Sequence, residues 1–216
     1  MLIHPVSENS VGALKWHMQS IAFWIGCGYM VTSPLTLGLV GKPCSGKDTV
    51  AAYLTERYGF AHVSTGDLVR FYIAEHDLGE PDRVLAREVA NQMREENGPD
   101  YLVRLALKNE TPLLVVSGIR ALAEAAALKE VGKIVCVNAP IELRFRRMQG
   151  RGRASDNITL EQFREQEAAE DANVLASAQN VLEVMALADL SVDNQGDLDH
   201  LQSQIDFMLA SITSQC

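Results

Sequence analysis

The sequence predicts an α/β domain built on a doubly wound, five-stranded parallel sheet flanked by helices. Two observations carry that expectation. Short apolar, β-branched runs alternate with helix-favouring stretches from Leu35 to Ile212, the pattern of strands joined by helical crossovers. The first apolar run, Leu35 to Val40, leads through a glycine-bounded loop into a helical pattern beginning near Lys47. Crossovers in such sheets are right-handed, and ligands sit at the carboxyl ends of the strands.

Each element follows in order. After the loop helix, about 47–58, Phe60 to Ser64 reads as a second strand and Gly66 to His76 as a helix. The polar stretch from Pro81 to Asn109 reads as two helices broken at Gly98-Pro99. Leu113 to Val116 is a central strand, Ala121 to Val131 an alanine-rich helix, and Lys133 to Val137 a buried strand closed by Asn138-Ala139-Pro140. Ile141 to Gln149 is helical, and Gly150 to Asp156 a polar loop. Leu160 to about Leu187 is mostly helical, and Leu190 to Val192 is the fifth strand. An amphipathic helix from Leu198 to about Ile212 comes last. A dinucleotide-binding Rossmann domain is disfavoured, because the glycines do not form G-x-G-x-x-G.

The chain has 216 residues, 47% of them hydrophobic, enough for one domain with a substantial core and a short appendage. Net charge is −9, which argues against a general nucleic-acid binder. Against that acidic background, Arg144, Arg146, Arg147, Arg151 and Arg153 fall close together, a local basic patch suited to a small anionic ligand. The 4 cysteines are far apart, so neither a zinc site nor a disulfide framework is expected, and a reducing cytoplasm fits.

Residues 1–34 do not read as the start of the domain. Ile21 to Thr32 is apolar but too short to span a bilayer. It could form a signal-peptide core behind Lys15 and His17, although a reducing cytoplasm fits the cysteines. The expectation is an N-terminal appendage ahead of a domain at 35–216, with residues 1–29 added by a start codon placed upstream of Met30. No membrane or nucleic-acid partner is expected, and oligomeric state is left open.

The chemistry begins at the loop. Gly41, Lys42, Pro43, Cys44, Ser45, Gly46 and Lys47 match G-x-x-x-x-G-K between a strand and a helix. Backbone N–H groups and the helix dipole make an anion cradle there, and Lys47 can reach the outer phosphates of a nucleoside triphosphate. Cys44 reads as a small loop residue.

Ser64-Thr65-Gly66-Asp67-Leu68-Val69-Arg70 closely resembles the S-T-G-D-x-L-R segment of adenylate kinases, whose threonine and arginine hold the acceptor nucleotide. Gly66 permits a sharp turn, Asp67 is placed to cap the helix, and Arg70 presents a fork to a phosphate. Ser117-Gly118-Ile119-Arg120 resembles the D-G-x-R segment of nucleotide kinases, making Arg120 a second acceptor clamp. Ala188 to Asn194, followed by Gly196, resembles the A-D-x-x-I-x-N-x-G segment of dephospho-CoA kinases, where a structural turn and a contact near adenine are both open.

Residues 35–212 thus resemble the nucleoside/nucleotide kinase group of P-loop proteins. The resemblance implies ATP and Mg²⁺ as cofactors and a small lid at about 150–160. It implies Lys47, Arg147, Arg151 and Arg153 as catalytic groups, with Arg164 beyond the loop. Arg144 and Arg146 read instead as solvated helix residues. It also implies Thr65, Asp67, Arg70 and Arg120 at the acceptor, and Asp48 and Thr49 beside the donor phosphates. Two positions depart from the group. Asp48 stands where Ser or Thr normally binds Mg²⁺, and Ser117 where an acid is usual. The two are expected to have exchanged roles, with Asp48 and Ser117 both facing the metal. The acceptor is expected to be a (deoxy)nucleoside monophosphate. The alternatives are a dephospho-CoA-like ribose hydroxyl with Asp67 as base, and a non-catalytic, regulatory ATP-binding protein.

Overall fold

The computed structural model describes residues 23–25, 29–31, 34–151, 158–171 and 181–213. Its centre is a five-stranded parallel sheet. The strands are β3 (Leu35–Val40), β4 (Ala61–Ser64), β5 (Leu113–Ser117), β6 (Lys133–Asn138) and β7 (Leu190–Asp193), in the order β4-β5-β3-β6-β7. β3 lies between β5 and β6, with Leu39 opposite Ser117 and Val40 opposite Cys136. The chain leaves β3 toward one edge and later returns to build the other. The carboxyl end of β3 is therefore the switch point where the strand order reverses, the crevice in which open α/β sheets bind ligands.

Both faces of the sheet are covered. Leu37, Leu39, Val115, Val135 and Val137 pack against α1 (Lys47–Tyr58) and α9 (Leu198–Thr213) through Val50, Leu54, Leu201 and Ile205. Val40, Leu114, Val116, Ile134 and Cys136 pack on the other side, against α4 (Tyr101–Leu107), α5 (Leu122–Lys129) and α8 (Val181–Ala186). Burial on both faces explains why these strands read as unbroken apolar runs. Gly38 allows α5 its close approach, since a Cβ there would lie 2.7 Å from the Ile119 Cδ1 and 2.8 Å from the Leu128 methyls.

A third cluster joins α2 (Thr65–Glu75), α3 (Arg83–Asn97) and α4 through Val69, Ile73, Val89, Met93 and Leu102. The break between α3 and α4 falls at Gly98, with φ 110, as the Gly-Pro pair predicts. Far from the loop, α1 is anchored to α9, where the Tyr53 and Tyr58 hydroxyls both donate to Asp206 Oδ1, at 2.8 and 2.5 Å.

Some expectations need correction. Ser64, not Asp67, caps α2; its hydroxyl accepts from the Asp67 N–H at 3.2 Å. The hydroxyl one position before the helix reaches the third N–H, which is the geometry of an N-cap. The stretch 160–187, expected to be mostly helical, holds α7 (Leu160–Asp171) and α8 among the described residues, in keeping with that expectation. Within the appendage, β1 (Phe23–Ile25) and β2 (Tyr29–Val31) pair antiparallel as a separate two-stranded sheet, with Phe23 opposite Val31. Phe23, Trp24, Ile25, Tyr29 and Val31 favour extended backbone, which accounts for paired strands in this apolar run. Most of the expected lid, including Arg153, lies outside the described residues.

Candidate active site

The loop after β3 has the backbone that an anion cradle needs. Gly46 has φ 100 and Gly41 has φ 143, and a Cβ on Gly41 would lie 2.4 Å from the Val137 carbonyl oxygen. Neither position accepts a larger residue without displacement. Cys44 adopts φ 59, a left-handed conformation uncommon outside glycine. α1 begins at Lys47 with no side-chain cap, so the N–H groups of its first turn are left for a ligand. The Ser45 hydroxyl is buried with no hydrogen-bond partner among the described residues. Uncapped N–H groups and an orphaned hydroxyl fit the phosphate oxygens of a nucleotide.

Lys47 turns back over this loop, its Nζ donating to the Gly41 and Lys42 carbonyls at 2.8 and 2.9 Å. Burial, followed by the charge of Arg120, lowers its pKa to about 8. The second cause is informative, because Arg120 comes from the loop after β5. The positive charge of Arg120 thus acts on Lys47 from a different strand end.

The outer side of the loop is locked. The Asn194 amide, just past β7, donates from Nδ2 to the Ser45 carbonyl at 2.8 Å. Arg147 of α6 (Ile141–Arg151) donates from Nη1 to the same carbonyl at 3.3 Å. Its Nη2 bonds both the Asn194 backbone oxygen and Oδ1, each at 3.0 Å. Beside this lock is a cleft lined by Gly46, Thr49, Arg147, Asp197, Leu198 and Leu201.

A buried ion network ties α6 and α7 to the same loop. Arg144 forms a two-pronged pair with Glu167, closed on one prong by Nη2 to Oε2 at 2.8 Å, and its Nε donates to the Ala139 carbonyl at 3.0 Å. Glu167 also lies 3.7 Å from the Lys42 ammonium, and Arg144 sits 5.8 Å over the Phe163 ring. Arg144 is 5% exposed. Its reading as a solvated residue is therefore wrong, because its partner lies on another helix. Arg146 and Arg151 are exposed, and Arg164 makes a surface pair with Glu142 at 2.8 Å.

The residues expected to meet an acceptor are held more loosely. Arg70 and Asp67 pair at 2.5 Å with both side chains open to solvent, and Arg120 is exposed. Thr65 is buried, its hydroxyl donating to the Gly118 carbonyl at 2.9 Å, so it joins the turns after β4 and β5. Glu124, 0% exposed, fixes the Arg120 loop. Its Oε2 accepts the N–H groups of Arg120 and Ala121 at 3.0 and 3.2 Å, and its Oε1 accepts from Arg94 Nε at 2.8 Å. Asp48 and Thr49 are exposed in the first turn of α1. Ser117 is buried, its hydroxyl 2.8 Å from His62 Nε2. Burial lowers the His62 pKa, while Asp48 and Asp67 act in the opposite direction.

Sequence reasoning missed Glu167, Glu124, Arg94 and His62, whose roles depend on contacts between distant elements. Asn194 was visible within its segment, but its partner was not. Among the described residues, no cluster of three or more His, Cys, Asp or Glu is placed to hold a metal, and no helix is long and apolar enough to cross a membrane.

The profile of a family described as AAA domain matches residues 37–173. A UPF0200 protein of Hyperthermus butylicus is 30% identical over 187 residues, covering 84% of this chain and 96% of its own. The chain belongs to the AAA-domain family and to the UPF0200 proteins. A UPF0200/UPF0201 protein of Archaeoglobus fulgidus is 30% identical over 186 residues, 82% of this chain but 55% of that longer relative. The chain therefore spans about half of that protein. Shikimate kinase from Bacteroides thetaiotaomicron superposes with a TM-score of 0.58 at 12% identity, over 82% of this chain and 98% of the enzyme. That likeness shows the fold, a P-loop kinase-like domain, and the UPF0200 chain shares it.

Proposed function

We propose that this chain is an ATP-dependent small-molecule kinase. It transfers the γ-phosphoryl group of ATP to a nucleotide-like acceptor, a (deoxy)nucleoside monophosphate in the first reading. The observation that carries this is the loop after β3, whose left-handed glycines, uncapped α1 start and orphaned Ser45 hydroxyl make an anion cradle with Lys47 folded over it. The positive charge of Arg120, on the loop after β5, lowers the Lys47 proton affinity, and a bound polyphosphate would offset both charges.

In this reading the 41–47 loop and Lys47 hold the β- and γ-phosphates. Arg147, Arg151 and Arg153 balance the charge that shifts as the phosphoryl group moves. Arg70 and Arg120 hold the acceptor phosphate, whose oxygen attacks the γ-phosphorus as the bond to the β-phosphate bridging oxygen breaks and ADP leaves. A phosphate acceptor is already a nucleophile, so alignment is the main demand. Mg²⁺ would be held by the exposed Asp48 together with Ser117, and would neutralise phosphate oxygens.

His62 favours a second reading, a hydroxyl acceptor of the dephospho-CoA kind. An imidazole at the carboxyl end of the sheet offers the proton-accepting group that a hydroxyl requires. Asp67 serves that role less well, because Arg70 already engages it.

The test is ADP formation from ATP·Mg²⁺ with a panel of NMPs, dNMPs and dephospho-CoA. Acceptor-dependent ADP supports the kinase, and the responding acceptor separates the two readings. ADP without an acceptor marks an ATPase. Nucleotide binding with no ADP marks a regulatory ATP-binding protein.

A further inference from the structure

We propose that Asn194 is a positioning residue for the donor triphosphate, acting through the Ser45–Gly46 peptide; this rests on the ATP-donor reading above. Asn194 is 5% exposed, and its own N–H donates to the Asn138 carbonyl at 2.7 Å, which fixes it to the end of β6. From that anchor its side chain meets two partners of opposite demand. The Ser45 carbonyl needs a donor and receives Nδ2–H at 2.8 Å. The Arg147 guanidinium needs an acceptor and receives Oδ1 at 3.0 Å. Only a side chain with both functions at one branch point serves both, and an amide has them.

The consequence lies on the far side of the peptide. The bond is trans and planar, so the Ser45 C=O and the Gly46 N–H point in opposite directions. Holding the carbonyl outward on Asn194 and Arg147 turns the Gly46 N–H toward the cradle. Gly46, at φ 100, is the residue least able to resist rotation of this peptide. Rotation would bring a carbonyl oxygen to face the phosphates. A Cβ on Gly46 would lie 1.9 Å from Asn194 Nδ2, so the side chain packs directly against this residue.

The experiment measures binding of ATP and of inorganic tripolyphosphate to the full chain by calorimetry, for wild type, Asn194→Asp and Asn194→Ala. Asp keeps the size and the acceptor for Arg147 but removes the donor to Ser45. Both variants are expected to bind ATP and tripolyphosphate about tenfold more weakly, the effect of one lost hydrogen bond to a buried carbonyl. In turnover of the Asp variant, which keeps the Arg147 acceptor, the KM for ATP rises while kcat at saturating ATP stays within about twofold and the acceptor KM is unchanged. A merely structural role would lower kcat and both KM-dependent terms together.

Wild-type affinity in the Asp variant overturns the proposal and leaves the kinase reading intact. A wild-type protein that binds neither ATP nor tripolyphosphate overturns both. Should neither variant fold, nitrogen-labelled glycine in the wild type decides. The Gly46 amide resonance must move on tripolyphosphate addition, and a fixed resonance overturns the proposal.

Discussion

The donor and acceptor halves of the site are held together differently. Around the loop after β3, the polar groups are buried or half-buried and mutually engaged: Asn194, Arg147, Arg144, Glu167 and Lys42 interlock across α6, α7 and the β7 end. Around α2 the comparable groups, Arg70 and Asp67, pair in solvent. Buried, oriented donors need no rearrangement when charge arrives, whereas exposed arginines must be reoriented by their ligand. In the proposed reaction, the donor side is preorganised and the acceptor side is completed by the acceptor.

The sharpest way to break this contrast is at the loop lysine. Lys47→Met is expected to reduce acceptor-dependent turnover about a thousandfold, roughly 4 kcal/mol of transition-state stabilisation. Steady-state kinetics checks this. An unchanged rate would remove the donor site from the chemistry.

Next in size is a stability effect confined to the donor side. Arg144→Met leaves Glu167 buried with its best partner gone, and is expected to cost about 3 kcal/mol of folding stability. Chemical denaturation measures it. A variant as stable as wild type would show that the network does not rigidify this half.

The acceptor half should behave in the opposite way. Arg70→Ala is expected to raise the acceptor KM about tenfold or more through loss of a charge-assisted contact. Because the Arg70–Asp67 pair is solvated, melting should change by less than about 0.5 kcal/mol. A large fall in melting temperature with an unchanged acceptor KM would reverse the comparison.

The smallest effect is on pH dependence. In the free protein the Lys47 pKa is lowered to about 8, and bound phosphates favour the charged ammonium and raise it. Between the two values ATP binding therefore takes up a proton. Affinity is expected to fall severalfold as pH rises through 8 toward 9. Calorimetry in buffers of different ionisation enthalpy detects the uptake, and proton release would contradict it.

The parts legible in the sequence were those specified locally. The cradle is one contiguous segment, and its glycines, lysine and following helix occupy the positions their spacing predicts. The α3–α4 break is likewise written in Gly98-Pro99. What could not be read depends on partners distant in the chain. Arg144 and Arg147 stand one helical turn apart on α6 and look alike in sequence. Glu167, 23 residues on, buries the first, and Asn194, 47 residues on, binds the second to the loop. His62 and Ser117, separated by 55 positions, meet only because β4 and β5 pair in parallel. The cap of α2 was misplaced for a smaller reason: Ser64 and Asp67 are both good capping residues, and the end of β4 decides between them.

The two tyrosine hydroxyls that meet on Asp206 restrict how this molecule can work. They tether the distal half of α1 to the C-terminal helix, while its first turn is continuous with the loop fixed by Asn194. A rod secured near both ends does not swing. Any movement that closes the proposed site is left to α2 and α3, approaching a stationary anvil.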